Sequence, residues 1–411
     1  MSDFFDNFTE KHTLKANSVW TNLWYNAETA SGAKITPDNA MRHSIVWACN
    51  KVLSESIASL PLVLYKEDDK GNRTKAKDHP IYDLISKLPN QEHTTMQWRE
   101  TMITSLNFKG NHYTQIIRDG GGRIVSLYGL ETSRMSVKRV QGTGEKVFLY
   151  DTGTKEVMLT LKDVIHVAGL SLDGLTGLSP IAQNAESIGL SVAMEEFGAT
   201  YFRNGSTATG ALSYPNELTE DAYKRLKADF EKNWAGMKNT HKPLLLEGGA
   251  KFEKLSMSNQ DSQFLEGRKY QKEDIAMIFR VPLHMLNDLE KANYNSIEQL
   301  SLGFVIYSLT PILVRLEQCF MRDLLTEDER KQGYYIKHNL AGLLRGDMKT
   351  RFEVYDTAIN GGIYTINDVL RLEDMNEVEN GNGRYKQGAM TTIENIDNGI
   401  NYTKGNTNGT N

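Results

Sequence analysis

Apolar residues at Ile45, Val46, Cys49, Val52, Leu53, Ile57 and Leu60 recur at the spacing that lines one side of a helix, which predicts a helix over 39–60. Pro61 has no amide hydrogen for a further turn, so the helix stops there. Residues 62–65 then read as a strand running into the turn Asp68-Asp69-Lys70-Gly71-Asn72. A second helix is predicted over 96–108, with Thr94 or Thr95 as its cap. Alternating segments at 111–118 and 124–130 flank Asp119-Gly120-Gly121-Gly122, a strong hairpin signal. Segments 137–140, 147–150 and 164–167 predict that this hairpin continues into a small mixed sheet. Residues 1–38 show little periodicity, with isolated aromatics such as Trp20 and Trp24, and read as an extended docking arm or a frayed end.

The pattern changes at Gly169. A glycine-punctuated stretch leads to a helix over 180–202, with Ser179 as cap and Pro180 at its first position. At 1.5 Å per residue it would be roughly 35 Å long. Its small residues, among them Ala185, Ser187, Gly189, Ser191 and Gly198, predict close neighbours on more than one side. A compact insertion follows, with strands at 210–214, 243–246 and 252–255 and a helix over 221–234 capped by Thr219. A charged helix over 261–279 ends before Pro282, and 283–296 reads as a polar loop without a period. The strongest helical pattern covers 297–325, where Leu302, Ile306, Leu309, Leu313, Leu316, Phe320 and Leu324 form one stripe. Pro311 should kink it. A strand over 334–339 and helices over 348–360 and 366–372 complete the ordered part, and the Asn-, Thr- and Gly-rich tail at 390–411 is expected to be disordered.

The 411 residues allow two or three domains of α+β character. No run of about eighteen apolar residues stands out, so no membrane span is expected. The start, MSDFFDNFTEKH, lacks the basic flank and apolar stretch of a secretory signal. Two cysteines, Cys49 and Cys319, make no disulfide framework. The net charge of -5 speaks against a protein that grips DNA through its phosphates.

Candidate chemistry is sparse. No GxxxxGK[ST] phosphate loop, HExxH pair, Cys/His metal spacing or GxSxG elbow occurs, and neither a cofactor nor a metal is expected. His166, on a predicted strand near Asp163 and Asp173, is a candidate base, with a structural histidine the preferred reading. The acidic pairs Glu195-Glu196, Asp68-Asp69 and Glu273-Asp274 are sequence neighbours, and neighbours on a helix do not face each other. The chain is not expected to be an enzyme.

A series of short strings carries more information than any one of them. Ser59-Leu-Pro-Leu-Val-Leu-Tyr65 follows the first helix, and His79-Pro80 leads to Leu88-Pro-Asn90. Gly110-Asn111-His112-Tyr113 comes next, then Val164-Ile-His-Val167 ahead of Asp173-Gly174 and Gly177-Leu-Ser-Pro180. Phe202-Arg-Asn-Gly205, Val281-Pro282, Asn295-Ser296-Ile-Glu298-Gln299, Thr310-Pro311 and Gly361-Gly-Ile-Tyr-Thr-Ile-Asn367 complete the order. From about residue 40 to 388 the chain resembles the HK97-type phage portal family. One departure is Asp368 after Asn367, where the family pattern has glutamate.

The resemblance implies an α+β portal fold. It has an arm at 1–38, a wing at 39–178 completed by 297–340, stem helices at 179–204 and 259–281, and a clip at 205–258. A tunnel loop at 282–296 and a crown at 341–389 complete it. It also implies a twelve-subunit ring at a capsid vertex, through which double-stranded DNA is packaged and ejected, with the major capsid protein or scaffold, the terminase large subunit and a head-tail adaptor as partners. Twelve chains at -5 total about -60, a wall that favours sliding over capture. Within that frame Asp288, Glu290, Lys291, Asn293 and Asn295 are tunnel-loop candidates for facing DNA. The stem charges Arg268, Lys269, Lys272 and Arg280 either bridge subunits or face DNA. Tyr223, Phe230 and Trp234 on the clip either dock the motor or form the clip's own core. A different head-tail connector or minor capsid protein, or a nucleic-acid or cell-wall hydrolase, is the alternative reading.

Overall fold

The computed structural model describes residues 29–68, 73–203, 210–213, 218–233, 251–254, 258–288, 294–340, 348–373, 375 and 377–384. The arm aromatics Trp20 and Trp24, the turn at 69–72, the strand expected at 243–246 and the tail lie outside the described residues. The chain divides into two compact units, Met1–Ser59 with Val63–Lys337, and Leu60–Leu62 with His338–Asn411.

In the first unit a short turn α1 (Pro37–Ala40) precedes α2 (Ser44–Ala58). The break between them explains why the predicted start at 39 is early: Thr36 caps α1 through a reciprocal bond with Asn39, and His43 is extended before α2 begins. Strands β1 (Leu62–Glu67) and β2 (Arg73–Lys75) follow, then α3 (Pro80–Ser86), which apolar spacing over 39–108 did not predict because it has barely two turns. Helix α4 (Thr95–Lys109) starts at Thr94, whose side chain and that of Gln97 cap each other's backbone, and ends at Gly110 with φ 71°. Val46, Cys49, Leu53 and Ile57 of α2 are buried, as are Met102, Ile103 and Leu106 of α4. The polar atoms caught between these helices satisfy each other: Asn107 Nδ2 donates to Asn50 Oδ1 (3.0 Å), and Asn50 Nδ2 to Thr104 Oγ1 (3.2 Å).

The single mixed sheet expected for this region is corrected by the structure to two antiparallel sheets. Strand β3 (Asn111–Arg118) lies between β4 (Ile124–Leu130) and, later in the chain, β8 (Val164–Ala168). Strands β5 (Met135–Arg139), β6 (Lys146–Asp151) and β7 (Glu156–Leu159) form the other. A 3-10 turn at Thr132–Arg134 ends the first run of pairing and redirects the chain. The two sheets share a core of Tyr113, Phe148, Leu159 and Val164, so neither hairpin has to be stable alone.

The next elements are α5 (Pro180–Gln183), α6 (Ala185–Arg203), β9 (Gly210–Ser213), α7 (Glu220–Asn233), β10 (Lys251–Lys254) and α8 (Ser258–Ile278). Strands β9 and β10 pair antiparallel. The helix expected over 180–202 is broken at Asn184, whose Nδ2 turns back to the Pro180 carbonyl (2.8 Å). The loop expected at 283–296 contains a 3-10 turn, Leu283–Leu286, and the chain is helical again from Tyr294.

Just before Pro311 the regular ladder of the long helix is interrupted. Helix α9 (Tyr294–Gly303) and α10 (Thr310–Leu324) are joined by one π-helical segment, Phe304–Leu309. Pro311 offers no amide hydrogen to the turn before it, and the ladder widens instead: the Thr310 amide and its Oγ1 (2.8 Å) both reach the Val305 carbonyl. The wide turn shifts the apolar phase. Phe304, Val305, Leu309, Leu313, Leu316, Phe320 and Leu324 are buried, while Leu302 and Ile306, placed on the same stripe by sequence, are each 48 % exposed. By length and composition Gln299–Leu324 passes as a membrane span, contrary to the reading from sequence. Its inner side is a core face, with Phe320 packed on Trp98 at 5.6 Å and Arg322 Nη2 bonded to the His166 carbonyl (3.3 Å). A short α11 (Glu327–Lys331) and β11 (Tyr334–His338) follow, with β11 joining β1 and β2 in a sheet where Tyr335 stacks on Tyr65.

The second unit contains α12 (Met348–Asn360) and α13 (Ile366–Leu372). Asn367 is its centre: buried, it donates to the carbonyl of Val378 (3.1 Å) and to Asn382 Oδ1 (3.0 Å), and accepts from the Val378 amide (3.0 Å). Asp368 completes a capping box with Thr365, the job the family's glutamate would do with one more methylene.

The start of α5 is fixed to the end of α4 by a clasp of backbone and side chain. Asn111 Nδ2 donates to the Gly177 carbonyl (2.7 Å) while Asn111 Oδ1 accepts from the Gly177 amide (2.8 Å). The Ser179 hydroxyl donates to the Phe108 carbonyl (2.6 Å) and accepts from the Ala182 amide (3.1 Å), capping α5. A Cβ on Gly110 would overlap the backbone of Leu178, and one on Gly177 would overlap the Gly110 carbonyl. Gly177→Ala is therefore expected to destabilise the first unit by at least about 2 kcal/mol, whereas Gly120→Ala, whose Cβ would meet nothing, should stay within about 0.5 kcal/mol; urea unfolding of both variants measures the difference.

Candidate functional site

Helices α6 and α8 form an antiparallel hairpin, and the small residues of α6 are used at its contacts. Ser187 donates to the Asp274 carboxylate, Met194 packs on Gly267, and Gly189 receives the side chain of Thr29. These are the close neighbours on several sides that the composition of α6 predicted. His43, just before α2, bonds Ser191 Oγ through Nε2 (3.0 Å) and lies 3.5 Å from Glu195. Burial lowers its pKa, with Glu195 opposing and Arg268 assisting.

A cleft of about 280 Å³ opens where the hairpin meets the first turn of α2, lined in part by His43, Ser191, Glu195, Arg268, Gln271 and Lys272. Three of the charges singled out on α8, Arg268, Lys269 and Lys272, are brought together here. Lys272 is paired with Asp288 (2.8 Å) on the segment that follows the hairpin. Arg280 does not join them: it is past the end of α8 in a left-handed conformation (φ 54°), and its carbonyl accepts from Ser308 Oγ (2.6 Å). Gln271, which spacing gave no reason to select, is buried, and its Oε1 has no hydrogen-bond partner among the described residues. The signal available was its place on the side of α8 that faces α6, between Gly267 and Asp274.

Glu290, Lys291 and Asn293 lie outside the described residues. Asn295 is in the first turn of α9, and its side chain lies outside the described set. On α7, Tyr223 is 57 % exposed, the Phe230 side chain is outside the described set, and Trp234 is outside it altogether.

His166 is a structural residue. It is buried, stacked on Tyr113 with ring centroids 4.6 Å apart, and its Nε2 meets Asn111 Oδ1 (3.0 Å). Because that oxygen only accepts, the proton sits on Nε2, and Nδ1 accepts from Lys146 Nζ (2.8 Å). Burial, with Lys146 and Arg322 adding to it, lowers the His166 pKa to about 3, and burial alone does the same to His112. Lys146 falls to about 8 through burial and the charges of Arg322 and Arg139. Cys49 and Cys319 are free and buried, and burial pushes the Cys49 thiol up to about 12. Among the described residues no group of three or more His, Cys, Asp or Glu side chains is placed to hold a metal ion.

With this geometry in place, comparison with known proteins assigns the chain. The family model "Phage portal protein" matches residues 44–374. The chain belongs to the phage portal protein family. It is 32 % identical over 369 residues to the portal protein of Enterobacteria phage HK97, covering 89 % of this chain and 86 % of that one. The neck of an empty gene transfer agent particle, computed with C6 symmetry, superposes with a TM-score of 0.60 at 22 % identity, covering 85 % of this chain and 98 % of that one. The neck of the native particle, computed with C12 symmetry, gives 0.57 at 20 % identity over 88 % of this chain and 100 % of that one. Both of these neck structures are symmetric assemblies. The clasp, the hairpin and the π-helical turn of this portal protein all fall inside the matched residues.

Two outcomes follow from these contacts. Between pH 6.5 and about 3 the unfolded chain binds protons at His112 and His166 that the folded chain refuses. The stability their neutral forms contribute is therefore complete above 6.5 and lost as pH falls through that window, by roughly 2 kcal/mol per histidine at pH 5. Urea unfolding at pH 7 and pH 5 should show this drop, and His166→Gln should make it shallower. Replacing Asp288 by Asn removes the carboxylate from half-buried Lys272 and should cost about 1 kcal/mol, read from the urea midpoint.

Proposed function

We propose that about twelve copies of this chain form a ring at a capsid vertex, and that double-stranded DNA passes through its bore during packaging and ejection. The observation that carries this is the match of 88 % of the chain to the whole of a neck subunit computed with twelvefold symmetry. The charge balance supports it. At -5 per chain the ring totals about -60, and Lys272, one cation able to hold a phosphate, is engaged by Asp288.

In this reading Asp288, Glu290, Lys291, Asn293 and Asn295 border the DNA and touch it weakly or through water. The hairpin of α6 and α8 is the stem, carrying Arg268, Lys269 and Lys272, with Arg280 at its base. The segment 205–258 is the clip, and its exposed Tyr223, with Phe230 and Trp234, presents the platform for the terminase large subunit and then the head-tail adaptor. The wing and arm meet the major capsid protein or scaffold, and no catalytic step is assigned to the chain.

Negative-stain images of purified protein test the reading. Annular particles of about twelve subunits with an open centre are expected. Solid or sixfold particles would favour another connector, and a monomer at every concentration would end the proposal. ATPase and nuclease assays with divalent metal should both be blank.

A further inference from the structure

On α8 the residues Glu266, Tyr270, Glu273 and Met277 recur at i, i+4, i+7 and i+11, which places them on one stripe. Three of the four are exposed, Tyr270 at 65 %, Met277 at 69 % and Glu266, while Glu273 is half-buried. Arg268 and Lys272 lie on the far side of the same helix and line the cleft; Lys269, which also lines it, lies between the two sides, three residues from Glu266 and four from Glu273. One side of α8 thus exposes Glu266 with two large side chains, and the other lines a cleft with Arg268 and Lys272.

A ring built by rotation joins two different faces of the same subunit, so each copy must present both halves of the contact. The stripe and the cleft have the chemistry of two such halves. Glu266 and Arg268 are two residues apart, and helix residues at that spacing do not face each other, so they cannot pair within one chain. Rotation leaves heights along the axis unchanged. For a helix running along the axis, Glu266 of one copy and Arg268 of the next differ in level by about 3 Å. The phosphates of a DNA backbone would instead meet Glu195 and Asp288 inside the cleft.

Resting on the ring reading above, we propose that the α8 stripe of each copy enters the cleft of the next, with Glu266 paired to Arg268. This places the stem charges between subunits rather than on the DNA.

A charge swap tests it. Glu266→Arg and Arg268→Glu should each remain folded by circular dichroism yet lose rings in light scattering and negative stain, while the chain carrying both substitutions should form rings again. A photo-crosslinking benzoylphenylalanine at position 270 of assembled rings should yield chain-to-chain dimers. Intact rings in either single reversal, no reassembly of the folded double variant, or crosslinking to DNA instead of protein would overturn the pairing. A native chain that makes no rings overturns the ring reading itself, and the pairing with it.

Discussion

The direction in which the α6–α8 hairpin leaves the α+β body depends on the contact between Gly110-Asn111 and Gly177-Leu178-Ser179. Three things are demanded at once there. The chain must reverse after α4, for which Gly110 takes a left-handed conformation; the two backbones must approach more closely than any Cβ permits; and α5 must find its cap. Asn111 meets the second demand with both ends of its amide on the Gly177 peptide, and its Oδ1 also receives His166. Sheet, buried histidine and hairpin origin are thereby parts of one hydrogen-bonded unit. Each bond contributes only about 1 kcal/mol net, but a donor or acceptor stranded there costs more than its bond contributes, so partial loss is penalised.

A subunit that lines a passage for a polyanion has to place charge without creating a trap. In this chain cations are engaged near the wall of their own fold: Lys272 with Asp288, Lys146 with a histidine nitrogen and a carbonyl, and Arg322 with Asp323. Charges held by internal partners are poor counterions for phosphate, because releasing them reopens a buried ion or hydrogen bond. On α8, Arg268 and Lys272 line the cleft, while Glu266 is exposed on the other side of the helix.

The π-helical turn shows how a local covalent fact spreads through a tertiary arrangement. A proline inside a helix removes one ladder bond, and a sharp bend is the common consequence. Here the widening at Phe304–Leu309 absorbs the loss, keeps the helix continuous and rotates the residues ahead of it, which moves Leu302 and Ile306 to the outside and Phe304 and Val305 to the inside.

Periodicity alone determined much of the element order: α2, α4, the hairpin around Gly120, the two helices of the second unit and the core face from Leu309 to Leu324 all coincide with the apolar pattern. These are elements whose own side chains decide their form, through caps such as Thr94 and Thr365 or through a stripe long enough to bury. The order of short motifs further placed the chain in its family, and several of them, Gly110-Asn111 and Gly177 to Pro180 among them, turn out to be the two halves of one contact. Only the tertiary structure decided the rest. The sheet divides in two because strand partners are distant in sequence, His166 is neutral because of what surrounds it, Lys272 finds Asp288 across a turn, and Gln271 is a buried orphan beside a cleft. Such properties belong to pairs of residues brought together by folding, and a pattern along one chain carries no record of which pairs those are.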